Sequence, residues 1–387
     1  MMRTSHLEIV PKISKYCNLR CTYCYEYREL GDRTRMQLAD VGNMFATLRR
    51  HVDLHPEITS VRFAWQGGEP LLIKPDVYRA IAELSERAFS GAPARVSHVV
   101  QTNLTVMSPA WLAFLRDGGF FEDIGISFDV IGDRRVDTKG QVRTDAVLAN
   151  IQALIDARVP FAAIAVMSRF TLPKIEQVQR FFDELGVETR FLPFNQSVST
   201  EQKDAHALSA QEITDAFALL FDGWIASDNA TSIEPLREYL SYALNVLEGR
   251  GEPDPELEPL ESVFIVNTNG DTWGTGDLYR PGAAYGNIFT EEFADMMVSP
   301  ARLRATAAMR ERVSAICGGC PYFGACPGFA VAFSMPDERA AIAASGCTVR
   351  AVIDHILSRL EQTGIAETVR HSGVAAGPLN GALALPL

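Results

Sequence analysis

Glu8-Ile9-Val10-Pro11-Lys12-Ile13-Ser14 runs straight into Lys15-Tyr16-Cys17-Asn18-Leu19-Arg20-Cys21-Thr22-Tyr23-Cys24-Tyr25. A β-branched stretch of this length reads as a strand, and the three cysteines fall in the loop it delivers. The pattern repeats downstream. Strands are expected at Val61–Gln66, Val96–Thr102, Ile124–Asp129, Phe161–Met167 and Glu188–Leu192. Helical apolar periodicity fills the gaps near 36–52, 76–89, 108–117, 144–157 and 173–185, with Ser108 as an N-cap before Pro109. Strand–helix alternation at this spacing predicts an α/β fold on a parallel sheet, either a partial barrel or an open doubly wound sheet. Ligand sites on such sheets form at the carboxyl ends of the strands, where the first cysteine loop would lie.

Bulk composition narrows the function classes. The 387 residues carry a formal net charge of −12, which argues against nucleic acid or an anionic membrane as the main partner. Apolar runs such as Phe161–Met167 are far too short to span a bilayer, and no secretory signal is visible, so a cytoplasmic location is expected. The seven cysteines are clustered: Cys17, Cys21 and Cys24, then Cys317, Cys320 and Cys326, then Cys347. A secreted disulfide framework is small and cysteine-dense, so clustering in a long chain reads first as metal ligation.

The first group has spacing C-x3-C-x2-C. Three thiolates on a cubane leave one iron open, a place for substrate chemistry rather than electron storage. A zinc site short of one ligand, or three buried thiols, is the competing reading.

Cys17-x3-Cys21-x2-Cys24, with Tyr23 just before the third cysteine, resembles the signature of the radical S-adenosylmethionine (SAM) superfamily. The resemblance implies a partial (β/α)6 TIM barrel and a 4Fe–4S cluster whose open iron is chelated by SAM. It implies one-electron cleavage of SAM to methionine and a 5′-deoxyadenosyl radical that abstracts hydrogen. Trp65-Gln66-Gly67-Gly68-Glu69-Pro70 resembles the family's Gly-Gly-Glu-Pro turn, its glycines admitting close backbone approach to a ligand and Glu69 or neighbouring carbonyls accepting from the SAM ammonium. By the same resemblance Tyr23, Gln66, Gln101, Asn103, Ser127, Asp129 and Arg143 are expected to contact SAM. Arg143 is assigned its carboxylate, and Leu192 the adenine.

Cys317-x2-Cys320-x5-Cys326, followed by Cys347, can saturate a second cluster; zinc is again the alternative by chemistry alone. This portion resembles the SPASM or twitch extension of peptide-modifying members. The two-cluster form of that extension runs C-x9–15-G-x4-C, then C-x2-C-x5-C-x3-C, then a last cysteine. Here the residues around Ser262 hold no cysteine, Thr275 ends the Gly-x4 step that opens at Gly270, and Ala330 stands at the C-x3-C position. The lost positions are those of the inner auxiliary cluster, so two 4Fe–4S clusters are expected in total. The chain looks closest to the anaerobic sulfatase-maturing enzymes and their peptide-maturase relatives. In that branch an aspartate at the place of Asp277 acts as base.

Four segments are expected: a barrel at 1–202, a helical connection and linker at 203–255, the SPASM/twitch-like unit at 256–362 and a loose tail at 363–387. Asn269-Gly270 marks a hairpin within the third. With sixteen residues ahead of Cys17, leader recognition is expected to use the barrel, the 203–249 helices or a separate protein. The resemblance implies a peptide or protein substrate modified oxidatively or crosslinked, and an electron donor such as flavodoxin or ferredoxin. Formylglycine formation on a sulfatase and dehydrogenation of a sugar are the alternatives. An iron–sulfur electron carrier would leave the open three-cysteine site beside Gly67-Gly68-Glu69-Pro70 unexplained.

Overall fold

The computed structural model describes residues 5–194, 205–227, 231–251, 261–275, 280–334, 336–364 and 366. Six βα units open the chain: β1 (His6–Ser14), α1 (Leu38–Leu54), β2 (Ser60–Gly67), α2 (Pro75–Phe89), β3 (Arg95–Thr102), α3 (Pro109–Asp117), β4 (Asp123–Ser127), α4 (Thr144–Asp156), β5 (Ala162–Met167), α5 (Ile175–Glu184) and β6 (Thr189–Pro193). Neighbouring strands from β1 to β6 pair in parallel. This is the expected partial barrel. A short β7 (Ile233–Glu234) then extends it beyond β6, between the helices α6 (Ala210–Ala226) and α7 (Leu236–Leu247).

The expected hairpin is present as β8 (Val263–Val266) and β9 (Asp271–Trp273), turned through Gly270 at φ +90°. Its first strand also pairs in parallel with β1, and β9 carries a further short strand, β10 (Gly286–Asn287). One ten-stranded sheet therefore runs through barrel and extension, in the order β10-β9-β8-β1-β2-β3-β4-β5-β6-β7. The expected boundaries at 202/203 and 255/256 fall outside the described residues. The C-terminal helices include α8 (Phe293–Met297), α9 (Pro300–Cys317), α10 (Phe329–Ala332), α11 (Pro336–Ser345) and α12 (Thr348–Gln362).

Helix starts are written locally. Ser108 accepts from the Trp111 amide at 3.1 Å, with Pro109 opening α3. Ser209 and Glu212 cap each other reciprocally at the start of α6. The sheet face toward the helices is apolar: Leu7, Ile9 and Ile13 join Phe63, Trp65, Phe45 and Val100 in the main core. Each such large side chain, fully buried, contributes about 1.5–3 kcal/mol. His98 lies among these rings, accepting from Trp65 Nε1 at 3.1 Å through Nδ1 and lying 2.9 Å from Ser85 Oγ through Nε2. Burial holds its pKa down to about 3, so the ring is neutral.

The opposite face lines the barrel. Val10, Ala64, Val99, Val263 and Ile265 form a small apolar plug there. Strands alternate with period two, so the residues two steps on, Lys12, Gln66 and Gln101, make the next layer toward the carboxyl ends. That layer is polar.

Candidate active site

The cysteine loop leaves β1 at the carboxyl end of the sheet and is held by three backbone strips. Cys17 N–H donates to Leu30 O at 3.1 Å. Arg20 N–H donates to Val136 O at 2.6 Å, and Thr22 N–H to Arg134 O at 3.1 Å. The third strip is the glycine turn: Gly68 N–H donates to Ser14 O at 2.7 Å and Glu69 N–H to Tyr16 O at 3.0 Å. A Cβ on Gly67 would stand 2.1 Å from Ser14 O, and one on Gly68 2.3 Å from Tyr16 O. The paired glycines were expected to admit a ligand. In the structure they admit the backbone that carries Cys17.

Cys17 and Cys21 are buried and Cys24 half-buried, all as free thiols. Burial pushes Cys17 up to about 12, with the Glu69 carboxylate adding to it, and burial likewise pushes Cys24 up to about 12. Such thiols are inert by themselves; bound iron would bring them to the thiolate form and release their protons. Among the described residues no three His, Cys, Asp or Glu side chains converge as a single-ion site requires. The donor set, soft sulfur on a loop at the barrel mouth, suits an iron–sulfur cluster with one open corner.

Four of the expected SAM contacts share the lumen. Gln66, Gln101, Ser127 and Leu192 lie on interior-facing positions at strand ends, and Gln101 Nε2 donates to Ser127 Oγ at 2.8 Å. Gln101 Oε1 is buried without a hydrogen-bond partner. An orphaned acceptor costs about 1–3 kcal/mol unless a ligand or water donates to it.

The other expected contacts are engaged with protein. The Glu69 carboxylate accepts from Leu71 N at 2.8 Å, Thr102 Oγ1 at 2.6 Å and Asn103 N at 2.7 Å, stitching the turn after β2 to the end of β3. Three donors already saturate most of its lone pairs, so its carboxylate is a brace rather than a free acceptor for the SAM ammonium. Asn103 Nδ2 points to Cys17 Sγ at 3.5 Å. Asp129 accepts from Val166 N at 2.9 Å and from the Tyr23 hydroxyl. Tyr23 in turn accepts from Arg135 at 2.6 Å.

Arg143 is the residue the structure moves furthest from expectation. It is the N-cap of α4, its side chain is 43% exposed, and it pairs with Asp137 at 3.8 Å. A buried cation lies instead at Arg135, 4.0 Å from Asp129. Burial works against the Arg135 charge, but Tyr23, Cys21 and Asp129 outweigh it and its pKa rises. Its Nε has no partner. The loop from Val130 to Val142 doubles back through Val130, Gly132 and Asp133, all at positive φ. Non-glycine residues rarely adopt such values, and the turn puts Arg135 rather than Arg143 at the cysteines.

Lys12, Glu26 and His206 were not expected. Lys12, 1% exposed, forms a buried ion pair with Glu26 two residues beyond Cys24 and lies 3.3 Å from Tyr25 Oη. A lysine on the lumen face of a strand was the available signal. His206 lies 3.1 Å from Thr22 Oγ1, edge-on to Tyr23 and Phe170; nothing local in its sequence marks it.

Cys317, Cys320, Cys326 and Cys347 line one cavity of about 490 Å³ between α9, α10, α11 and α12. Burial pushes Cys317 up to about 11 and Cys326 up to about 12. Ala330 forms part of the wall. Ser262 is buried beside β1, its carbonyl accepting from Glu8 N at 2.9 Å, and Thr275 Oγ1 is buried without a partner. Asp277, the expected base, lies outside the described residues.

Residues 12–182 match the radical SAM superfamily. They are a radical SAM domain. The protein that carries it is a radical SAM enzyme related to sulfatase-maturating enzymes. It is 25% identical over 303 residues to the cysteine-type anaerobic sulfatase-maturating enzyme of Clostridium novyi, covering 74% of this chain and 78% of that one. Its fold follows native anSMEcpe with bound AdoMet and Cp18Cys peptide at a TM-score of 0.71 and 19% identity, over 94% of this chain and 99% of that one. It also follows Streptococcus suis SuiB bound to precursor peptide SuiA at a TM-score of 0.58 and 16% identity, over 84% and 72%. Both structural likenesses are of fold.

Proposed function

We propose that this radical SAM enzyme is a peptide or protein maturase carrying two 4Fe–4S clusters, one on Cys17, Cys21 and Cys24 and one on Cys317, Cys320, Cys326 and Cys347. The observation that supports the reading is the three-thiol loop, which leaves β1 at the same carboxyl end of the sheet as Gln101, whose Oε1 is buried without a hydrogen-bond partner. SAM bound beside a reduced cluster supplies the hydrogen-atom abstraction of this family. The chain's own residues orient it. Gln66, Gln101 and Ser127 offer polar contacts from the lumen, Leu192 an apolar one, and Arg135 takes the carboxylate assigned above to Arg143. The glycine turn and the Lys12–Glu26 pair hold the loop against the sheet.

The peptide class rests on the extension. The fold runs on past the barrel through the four-cysteine unit, as in a solved structure with peptide bound. Asp277 is the proposed base and the second cluster the outlet for the second electron. The reading places the protein in the cytoplasm with a flavodoxin- or ferredoxin-type donor. Among the described residues no single helix is long and apolar enough to cross a membrane.

A second reading, formylglycine formation on a sulfatase peptide, is favoured by the sequence likeness to the Clostridium novyi enzyme. Mass spectrometry of co-expressed candidate peptides separates the two. Loss of two hydrogens without a new aldehyde supports a crosslink, and an aldehyde at cysteine or serine supports sulfatase maturation. No change in any peptide, with SAM still cleaved, counts against both.

A further inference from the structure

Among the described residues, one side chain donates to a cysteine sulfur. Asn103 Nδ2 reaches Cys17 Sγ at 3.5 Å, alongside the Leu19 amide at 3.3 Å. We infer that Asn103 is a redox-positioning residue that raises the reduction potential of the cluster on Cys17, Cys21 and Cys24. The inference rests on the assignment of that cluster to those cysteines.

The amide cannot turn its oxygen to the sulfur without losing its supports. Asn103 Oδ1 accepts from the Thr105 backbone N–H at 2.9 Å and from Thr105 Oγ1 at 2.6 Å. A backbone donor fixes the oxygen side, so Nδ2 faces Cys17 and Asn18, whose Oδ1 accepts from it at 3.1 Å. The Asn103 backbone is itself clamped by Glu69 at 2.7 Å. The residue is only 7% exposed, so water cannot replace the donor freely.

Adding an electron to a cluster increases the negative charge on its sulfurs. A fixed N–H aimed at one of them stabilises the reduced state more than the oxidised one, and hydrogen bonds to sulfur are among the levers that set such potentials. A charge-assisted bond in a dry site is stronger than a neutral one, so its loss is large enough to measure. Asn103 would thus ease reduction by the physiological donor while making the reduced cluster a milder reductant toward SAM.

The test is a redox titration of the anaerobically loaded full-length protein, followed by electron paramagnetic resonance. The signal that changes on adding SAM identifies the first cluster. Asn103→Leu keeps the backbone clamp and removes the donor. The expected result is a more negative potential for that signal alone, by about tenfold in the reduced-to-oxidised ratio at a fixed poise (about 59 mV). Iron content should stay at the wild-type value. Thr105→Val, which loosens the amide without removing it, should shift the same signal in the same direction by less. Unchanged potential in Asn103→Leu at full iron content overturns the inference. So does an equal shift of both clusters, which would report a general structural change. Peptide modification is not read in this experiment, so its outcome is independent of the maturase proposal.

Discussion

The Tyr23 hydroxyl donates to the Asp129 carboxylate and accepts from Arg135, joining the cysteine loop to the ends of β4 and β5 in one buried chain of polar groups. Tyr23→Phe removes the shared hydroxyl and leaves Arg135 and Asp129 at 4.0 Å with one hydrogen bond fewer each. The expected loss is about 1–3 kcal/mol. Asp129→Asn strips Arg135 of its counter-charge and should cost more, about 3–5 kcal/mol. Urea unfolding checks the order of the two, and a larger loss for Tyr23→Phe would contradict it.

Lys12 and Glu26 make a second test of buried charge. Each side chain is at most 2% exposed, so removing one leaves the other a buried ion that has lost its counter-charge. Lys12→Met or Glu26→Gln should each destabilise by about 3–5 kcal/mol, and the double variant should recover much of that loss. Additive losses in the double-mutant cycle would show that the pair does not act as a unit.

Gly68→Ala addresses the close packing of turn and loop. The added Cβ meets backbone at 2.3 Å, so the cysteine loop must move. The prediction is a fall in bound iron by about half, about four of eight atoms lost, with the second cluster retained. Full iron content in a folded Gly68→Ala protein would show that the loop tolerates the shift.

Stability should depend on pH through His98. Its pKa is held down to about 3 in the fold by burial, against about 6.5 in the unfolded chain. Between those values the unfolded chain binds more protons, so unfolding free energy falls as pH drops from about 6.5 toward about 3. The slope from this residue reaches about 1.4 kcal/mol per pH unit. His51, held down to about 4 by burial and by His55, adds in the same direction. Denaturation of His98→Gln at about pH 6 and about pH 5 should show a shallower slope than wild type. Equal slopes would mean that the His98 ring is protonated in the fold.

The sequence made some of this legible because the chemistry there is local. Cysteine spacing needs no tertiary information, and the strand–helix alternation that gives the parallel sheet is written in short stretches of chain. The remaining features depend on long-range geometry. Glu69 reads as a free acceptor until β3 brings Thr102 and Asn103 to it. Arg143 and Arg135 differ by less than one loop, and only the positive-φ turns at Val130, Gly132 and Asp133 decide which of them faces inward. The parallel pairing of β8 with β1 was hidden for the same reason: an Asn-Gly turn announces a hairpin but not the strand that its outer edge will join.

The most direct test of the account is the formation of 5′-deoxyadenosine from SAM by the anaerobically loaded protein under dithionite, measured by liquid chromatography and mass spectrometry. The wild type should form it, and a Cys17→Ala, Cys21→Ala, Cys24→Ala variant should form none while keeping about four iron atoms on the second cysteine group. No 5′-deoxyadenosine from a wild-type protein holding about eight iron atoms, or undiminished formation by the triple variant, would contradict it.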